Sequence, residues 1–251
     1  MSESIPTISL KQDREVVVSA IRSACLNHGF FQITDSDVPP SLSDRLMNPM
    51  QTIFGLLAPV KLSLKSNGQM LISSTMELES LCRLIHYKTP ERDGGDEKNG
   101  KDEHDDIGAS RHSDWGLLTV LLQDNVGRLQ VLDLKTQTYI PVPPTPGAFV
   151  INCGDLLSRF TNGVYTSAKH MVVAPPPGVD RYSIALFNNG NPGHTVDVLP
   201  LGPEWKEWVQ GQQGAAPQAK RLYEPITAGA YFEMNWKDSV AGQKQSPARE
   251  A

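Results

Sequence analysis

The spacing of apolar residues predicts two helices near the start of the chain. Apolar positions recur at helical spacing over residues 14–27 and again over residues 41–57. Short runs of strand-forming residues at 5–10 and 29–34 flank the first helix. These elements predict a strand–helix–strand–helix leader region, in which Pro49 is expected to kink or divide the second helix.

From residue 81 the pattern changes to short apolar or alternating runs separated by Pro, Gly and Asn. Eight such runs are predicted to be strands, at residues 81–87, 117–123, 128–133, 138–142, 148–152, 170–174, 181–188 and 195–199. This density of short strands is typical of a sandwich or jelly roll. The predicted fold class is therefore mainly β, a jelly roll with flanking helices.

The chain is predicted to form one structural unit with three parts. These are a leader region at 1–80, a jelly-roll core at 81–200, and a C-terminal helix and tail at 201–251. Further helices are predicted near residues 75–80 and at 203–212. Residues 90–106, with eight acidic and three basic side chains, are expected to form a solvated loop, and the polar last dozen residues are expected to be disordered.

Composition excludes several classes of partner. The net charge of −5 argues against general attraction to nucleic acid or to an anionic membrane. No apolar run is long enough to span a bilayer, and the start lacks a secretory signal pattern. Cys25, Cys82 and Cys153 lie far apart in sequence, which favours a reducing, cytoplasmic location.

A candidate metal site begins at His112-Ser113-Asp114. Side chains alternate between faces along an extended segment, so His112 and Asp114 are expected to point the same way and to hold adjacent positions on a metal. His170, expected to open another strand, supplies a third ligand. Two imidazoles and one carboxylate form the face used by non-haem Fe(II) oxygenases, which leaves coordination positions open. The other histidines, at 28, 86, 104 and 194, have simpler structural interpretations.

An arginine further along the chain suggests why the metal would keep open positions. If His170 and Arg181 lie on the two strands of a hairpin, then Arg181, Ser183, Ala185 and Phe187 share one face. That face suits a small dicarboxylate with one end on the metal and the other on Arg181, since a guanidinium pairs with a carboxylate through two hydrogen bonds.

Residues 81–189 resemble the catalytic core of the Fe(II)/2-oxoglutarate-dependent dioxygenases of the isopenicillin-N-synthase-like superfamily. Ile5-Pro6 and residues 28–31 are similar to that family's leader domain. The core motifs occur in the family's order, at residues 84–87, 112–119, 129–131, 147–155, 161–163, 170–173 and 181–187.

The resemblance implies a double-stranded β-helix, with His112, Asp114 and His170 binding Fe(II). It implies that Arg181 and Ser183 bind the far carboxylate of 2-oxoglutarate, with Tyr87 as a further candidate there and Phe187 as a candidate substrate contact. The implied reaction consumes O2 and 2-oxoglutarate, oxidises a small organic substrate, and releases succinate and CO2. Intermediates of specialised metabolism and free nucleobases are substrate candidates by family analogy.

One departure keeps other functions open. Ala58-Pro59-Val60-Lys61 matches a site that the family usually separates from the Leu-Arg-Leu strand by a long segment, yet only twenty residues lie between Lys61 and Cys82. The chain is therefore either a compact member or a shortened one. Two alternatives remain: an oxidase of the same superfamily that takes no 2-oxoglutarate, and a non-catalytic homologue acting as a binding protein. The sequence leaves the oligomeric state open.

Overall fold

The computed structural model describes residues 4–56, 79–88, 107–200, 202 and 221–245. The predicted loop at 90–106, the predicted helix at 203–212 and the approach from Lys61 lie outside the described residues. Of the short helix predicted near residues 75–80, the structure describes only 79 and 80, and these belong to a strand.

The leader region follows the predicted order of elements. It contains β1 (Thr7–Ser9), α1 (Arg14–Asn27), β2 (Phe30–Thr34) and α2 (Pro40–Gly55). Helix α2 runs through Pro49 without dividing, so the loss of one backbone donor there does not end the helix.

Of the remaining strands, all but the last two complete two sheets, consistent with the predicted jelly roll. They are β3 (Glu79–Tyr87), β4 (Ile107–His112), β5 (Leu118–Gln123), β6 (Leu129–Asp133), β7 (Thr138–Pro141), β8 (Phe149–Cys153), β9 (His170–Val173), β10 (Arg181–Gly190), β11 (Thr195–Val196) and β12 (Ile226–Thr227). The large sheet has the order β1-β2-β8-β5-β10-β3, and the small sheet has the order β4-β9-β6-β7. Strands β11 and β12 form a separate pair. Because β1 and β2 pair into the large sheet, the leader region and the core share one sheet.

The predicted hairpin between the His170 and Arg181 strands is wrong. Strand β9 pairs with β4 and β6 in the small sheet, whereas β10 lies between β5 and β3 in the large sheet. The connection at 174–180, which contains three consecutive prolines, crosses from one sheet to the other. Consequently His170 and Arg181 approach the interior from opposite sheets.

The start and end of several elements also differ from the prediction. His112 ends β4 instead of opening a strand, and β4 itself was not predicted. Two helices were missed, α3 (Asp155–Phe160) and α4 (Ala228–Gln245). The expected disorder of the last dozen residues is wrong as far as residue 245, because α4 extends to that point. The low apolar content of the last residues gave no sign of this helix, whose residues Ala228, Tyr231 and Phe232 pack in an apolar cluster.

Two apolar clusters hold the layers together. Between the sheets, Phe30 and Val150 of the large sheet pack with Val131, Ile140 and Val172 of the small sheet. Outside the large sheet, α1 packs against strands β1, β2 and β8 through a second cluster, whose buried members are Ile8, Ala24, Cys25, Phe31, Ile151 and Cys153. The three cysteines form no disulfide. Within the described ranges, no helix has both the length and the apolar character needed to cross a membrane.

Gly29 ends α1, as its position in the sequence predicts. Its φ of +65° is a left-handed conformation that glycine adopts freely. A Cβ atom there would lie 2.1 Å from the carbonyl oxygen of Thr166, four residues before His170. The carbonyl of Gly29 accepts a hydrogen bond from the amide of Cys153, 2.9 Å away. Gly29 therefore joins the leader region to two segments that lead into the interior.

We expect Gly29→Ala to lower the free energy of unfolding by about 3 kcal/mol or more, because left-handed strain and a backbone clash add together. Gly178→Ala is the matched control. Its φ is +77°, yet no atom lies within 4 Å of the added Cβ, so only the strain of about 1–2 kcal/mol applies. Urea unfolding of both variants measures the difference. Equal losses would contradict the close packing at Gly29.

Candidate metal centre

Strand pairing brings the two candidate histidine ligands together. His112 of β4 is directly opposite His170 of β9, and their ring centroids lie 4.3 Å apart. Asp114 follows two residues after His112, and its Oδ1 lies 3.8 Å from His112 Nε2 and 3.7 Å from His170 Nε2. One potential ligand atom from each residue lies within 4.8 Å of the others, so the three could hold one ion.

Backbone carbonyls fix which nitrogen of each imidazole faces Asp114. His112 Nδ1 lies 2.6 Å from the carbonyl oxygen of Ser110, and His170 Nδ1 lies 3.2 Å from that of Ala168. A carbonyl oxygen only accepts, so Nδ1 carries the proton and leaves the Nε2 lone pair free. Burial lowers the pKa of His170, which favours the neutral form that a metal requires.

Two side chains of the large sheet hold Asp114 in place. Its Oδ2 accepts hydrogen bonds from Thr119 Oγ1 at 2.5 Å and from Asn152 Nδ2 at 2.8 Å. Thr119 and Asn152 are directly opposite each other on β5 and β8. These bonds occupy one carboxylate oxygen and leave Oδ1 facing the histidines. Sequence reasoning assigned no role to Thr119 or Asn152, and only their presence in the quoted motifs could have indicated one.

A second buttress lies at Asp155, the first residue of α3. Its carboxylate accepts hydrogen bonds from Ser167 Oγ at 2.5 Å, from Ser113 Oγ at 3.4 Å and from the Tyr231 hydroxyl at 2.9 Å. Burial raises the pKa of Tyr231, with a further contribution from Asp155, so the hydroxyl stays protonated and donates. Ser113, which lies between His112 and Asp114, is thus connected to Tyr231 of α4 through the carboxylate of Asp155. Sequence reasoning missed this role of Asp155 as well.

All seven sequence-predicted site residues line one cavity of about 430 Å³ between the sheets. His112, Asp114 and His170 lie with the four other candidates, which are Tyr87, Arg181, Ser183 and Phe187. Of the four β10 residues predicted to share a face, Arg181, Ser183 and Phe187 line the cavity, whereas Ala185 is not among its lining residues. The roles of these residues stay predictions.

Arg181 is a rigidly held, buried cation. It is 1% exposed, and its guanidinium lies over the Tyr87 ring, 4.7 Å from the centroid. It donates to the carbonyl of Gly127, to Ser183 Oγ at 3.4 Å and to Gln123 Oε1 at 3.3 Å. No carboxylate of the described residues lies within ion-pair distance of it. Burial lowers the pKa of Arg181, while Tyr87 and Asp124, neither of which forms an ion pair with it, act in the opposite direction.

Two family models match the chain, and together they run from residue 5 to residue 190. Residues 79–190 match the model of the 2OG-Fe(II) oxygenase superfamily. Residues 5–92 match the model described as non-haem dioxygenase in morphine synthesis N-terminal.

Two of the curated relatives match over less than half of this chain. A 2-oxoglutarate-Fe(II) type oxidoreductase of Aspergillus fumigatus is 41% identical over 117 residues, which are 47% of this chain and 32% of that protein. A 1-aminocyclopropane-1-carboxylate oxidase of Dictyostelium mucoroides is 41% identical over 104 residues, which are 41% of this chain and 28% of that protein. The chain therefore matches these relatives over about a third of their length.

Solved structures share the fold. Neurospora crassa T7H in complex with alpha-KG superposes with a TM-score of 0.69 at 19% identity, over 94% of this chain and 96% of that chain. The rice dioxygenase for auxin oxidation gives a TM-score of 0.69 at 21% identity, over the same shares of the two chains. The predicted jelly roll is thereby confirmed. Taken with the two family matches, the chain belongs to the 2OG-Fe(II) oxygenase superfamily.

Proposed function

We propose that the protein is an Fe(II)- and 2-oxoglutarate-dependent oxygenase of a small organic substrate. The observation that carries this proposal is the pairing, in one cavity, of a His–Asp–His cluster with a buried arginine that forms no ion pair with a described carboxylate. Two imidazole nitrogens and a carboxylate oxygen suit Fe(II), and they occupy only one side of the ion. The buried guanidinium suits a carboxylate that arrives with the co-substrate.

The roles of the chain's own residues follow from their contacts. His112 Nε2, His170 Nε2 and Asp114 Oδ1 would hold the iron. Arg181 would bind the distant carboxylate of 2-oxoglutarate, with Ser183 as a second donor. The Tyr87 ring, stacked on the guanidinium, limits its movement and keeps water from that end of the cavity.

The iron, when bound, supplies the redox chemistry by which O2 and 2-oxoglutarate oxidise the substrate, with release of succinate and CO2. The protein supplies ligation, orientation and exclusion of water. A small-molecule substrate is supported by two structural neighbours, T7H with thymine and JOX2 with 2OG, Fe and JA. A role in specialised metabolism, a cytoplasmic location and the absence of nucleic-acid or membrane partners stay predictions.

Succinate formation tests the proposal against its alternatives. Purified protein with Fe(II), 2-oxoglutarate and air is expected to convert 2-oxoglutarate to succinate. An oxidase that takes no 2-oxoglutarate would consume O2 with substrate alone and form no succinate. A non-catalytic homologue would do neither, and either outcome would overturn the proposal.

We expect Thr119→Val to weaken metal binding about 10- to 100-fold, because Asp114 loses one of the two donors that orient it. Calorimetric titration with Mn²⁺ in the absence of O2 measures the affinity. Thr138→Val is the matched control, since Thr138 lies exposed on β7 and its hydroxyl hydrogen-bonds to the hydroxyl of Thr136. If both variants bind Mn²⁺ as the unmodified protein does, Asp114 does not depend on Thr119.

We expect Arg181→Lys to raise the concentration of 2-oxoglutarate needed for half-maximal succinate formation about 10-fold or more. Lysine keeps the charge but loses the planar pair of donors. Mn²⁺ affinity should not change, because Arg181 contacts none of the three candidate ligands. Arg22→Lys on the exposed side of α1 serves as the control. A 2-oxoglutarate requirement that stays the same in Arg181→Lys would rule out its proposed role.

A further inference from the structure

A second arginine, Arg83, lines the same cavity from strand β3. In the pairing of β3 with β10, Arg83 is opposite Ala185 and Tyr87 is opposite Arg181. Residues 83 and 87 therefore lie on one face of β3, and both reach the cavity. The mechanism proposed above uses Arg181 and leaves Arg83 without a role.

The side chain of Arg83 is directed away from Arg181, toward the part of β10 that pairs with Thr119. Its guanidinium carbon lies 5.6 Å from the centroid of the Phe187 ring. Phe187 is opposite Thr119 on β5, and Thr119 donates to Asp114. Phe187 and Arg181 are six residues apart on β10, which is about 20 Å of extended strand. The two arginines thus serve different parts of the cavity.

The surroundings of Arg83 suit one negative charge next to an apolar surface. Arg83 is exposed, and no carboxylate among the described residues lies within ion-pair distance of its guanidinium. Ile85, Leu121 and Phe187 supply apolar lining nearby. Arg83 and Arg181 are the only lysines or arginines among the described lining residues. A single guanidinium matches the charge of a carboxylate better than that of a phosphate dianion.

We propose that Arg83 anchors the substrate and that the substrate is a small organic carboxylate whose carbon skeleton lies against Phe187. This inference rests on the proposed function, because it requires Arg181 to be occupied by 2-oxoglutarate. A guanidinium stacked on an aromatic ring keeps its edge free to donate two parallel hydrogen bonds. That arrangement fixes the end of the substrate and directs its remainder toward the candidate metal ligands.

The test compares phenylacetate with phenylacetamide, and cinnamate with cinnamamide, which differ in charge but hardly in shape. Each is titrated into protein loaded with Mn²⁺ and saturating 2-oxoglutarate without O2, and binding is followed by calorimetry. At least one acid is expected to bind ten-fold or more tightly than its amide. Arg83→Gln should abolish that preference, Arg83→Lys should retain part of it, and Arg22→Gln should behave as the unmodified protein does.

The outcomes separate the two proposals. If Mn²⁺-loaded protein fails to bind 2-oxoglutarate, the proposed function is wrong. If 2-oxoglutarate binds but acid and amide bind equally in both pairs, or if Arg83→Gln keeps the preference for the acid, the assignment of Arg83 is overturned and the proposed function stands. Circular dichroism and the Mn²⁺ affinity of each variant identify any loss that comes from misfolding.

Discussion

The pairing of β4 with β9 is the constraint on which the candidate site depends. It sets His112 opposite His170, while carbonyls two residues before each histidine orient the rings. Asp114, the third candidate ligand, is held from the other sheet by Thr119 and Asn152. The cluster therefore bridges the two sheets, and its geometry exists only when the sheets are packed together.

The same packing accounts for the burial of Arg181. A buried cation is costly unless it is paired, and the described residues offer Arg181 neutral partners and an aromatic face but no carboxylate in contact. The stabilisation from apolar packing around the cavity offsets that free-energy cost. The leader region takes part directly, since Phe30 of β2 contacts the His170 ring edge-on with centroids 5.1 Å apart. A stable interior thus holds a positive charge at the wall of the cavity.

Much of the site could be predicted from the sequence because its signals are local. The separation of His112 and Asp114 by one residue and the alternation of Arg181, Ser183 and Phe187 along one strand depend only on extended backbone. The prediction that failed, the hairpin between the His170 and Arg181 strands, depends on contacts between residues that are distant in sequence. A proline-rich turn can reverse a strand within one sheet or carry it to the opposite sheet, and residues 170–188 alone do not distinguish these outcomes.

The supporting residues were missed for a related reason. Asn152 and Asp155 acquire roles through partners as far as 38 and 76 residues away in sequence, and the contact of Thr119 with Asp114, five residues away, depends on how the chain turns between them. Helix α4 was missed because the apolar residues of its sequence form only a weak helical pattern. The central claim is that iron and 2-oxoglutarate share the cavity between His112 and Arg181. Anomalous diffraction at the iron edge, from crystals grown with Fe(II) and 2-oxoglutarate without O2, tests it most directly. The account predicts one peak in bonding contact with His112 Nε2, Asp114 Oδ1 and His170 Nε2, with ligand density reaching from it to Arg181. A peak elsewhere, or density that does not reach Arg181, would contradict the account.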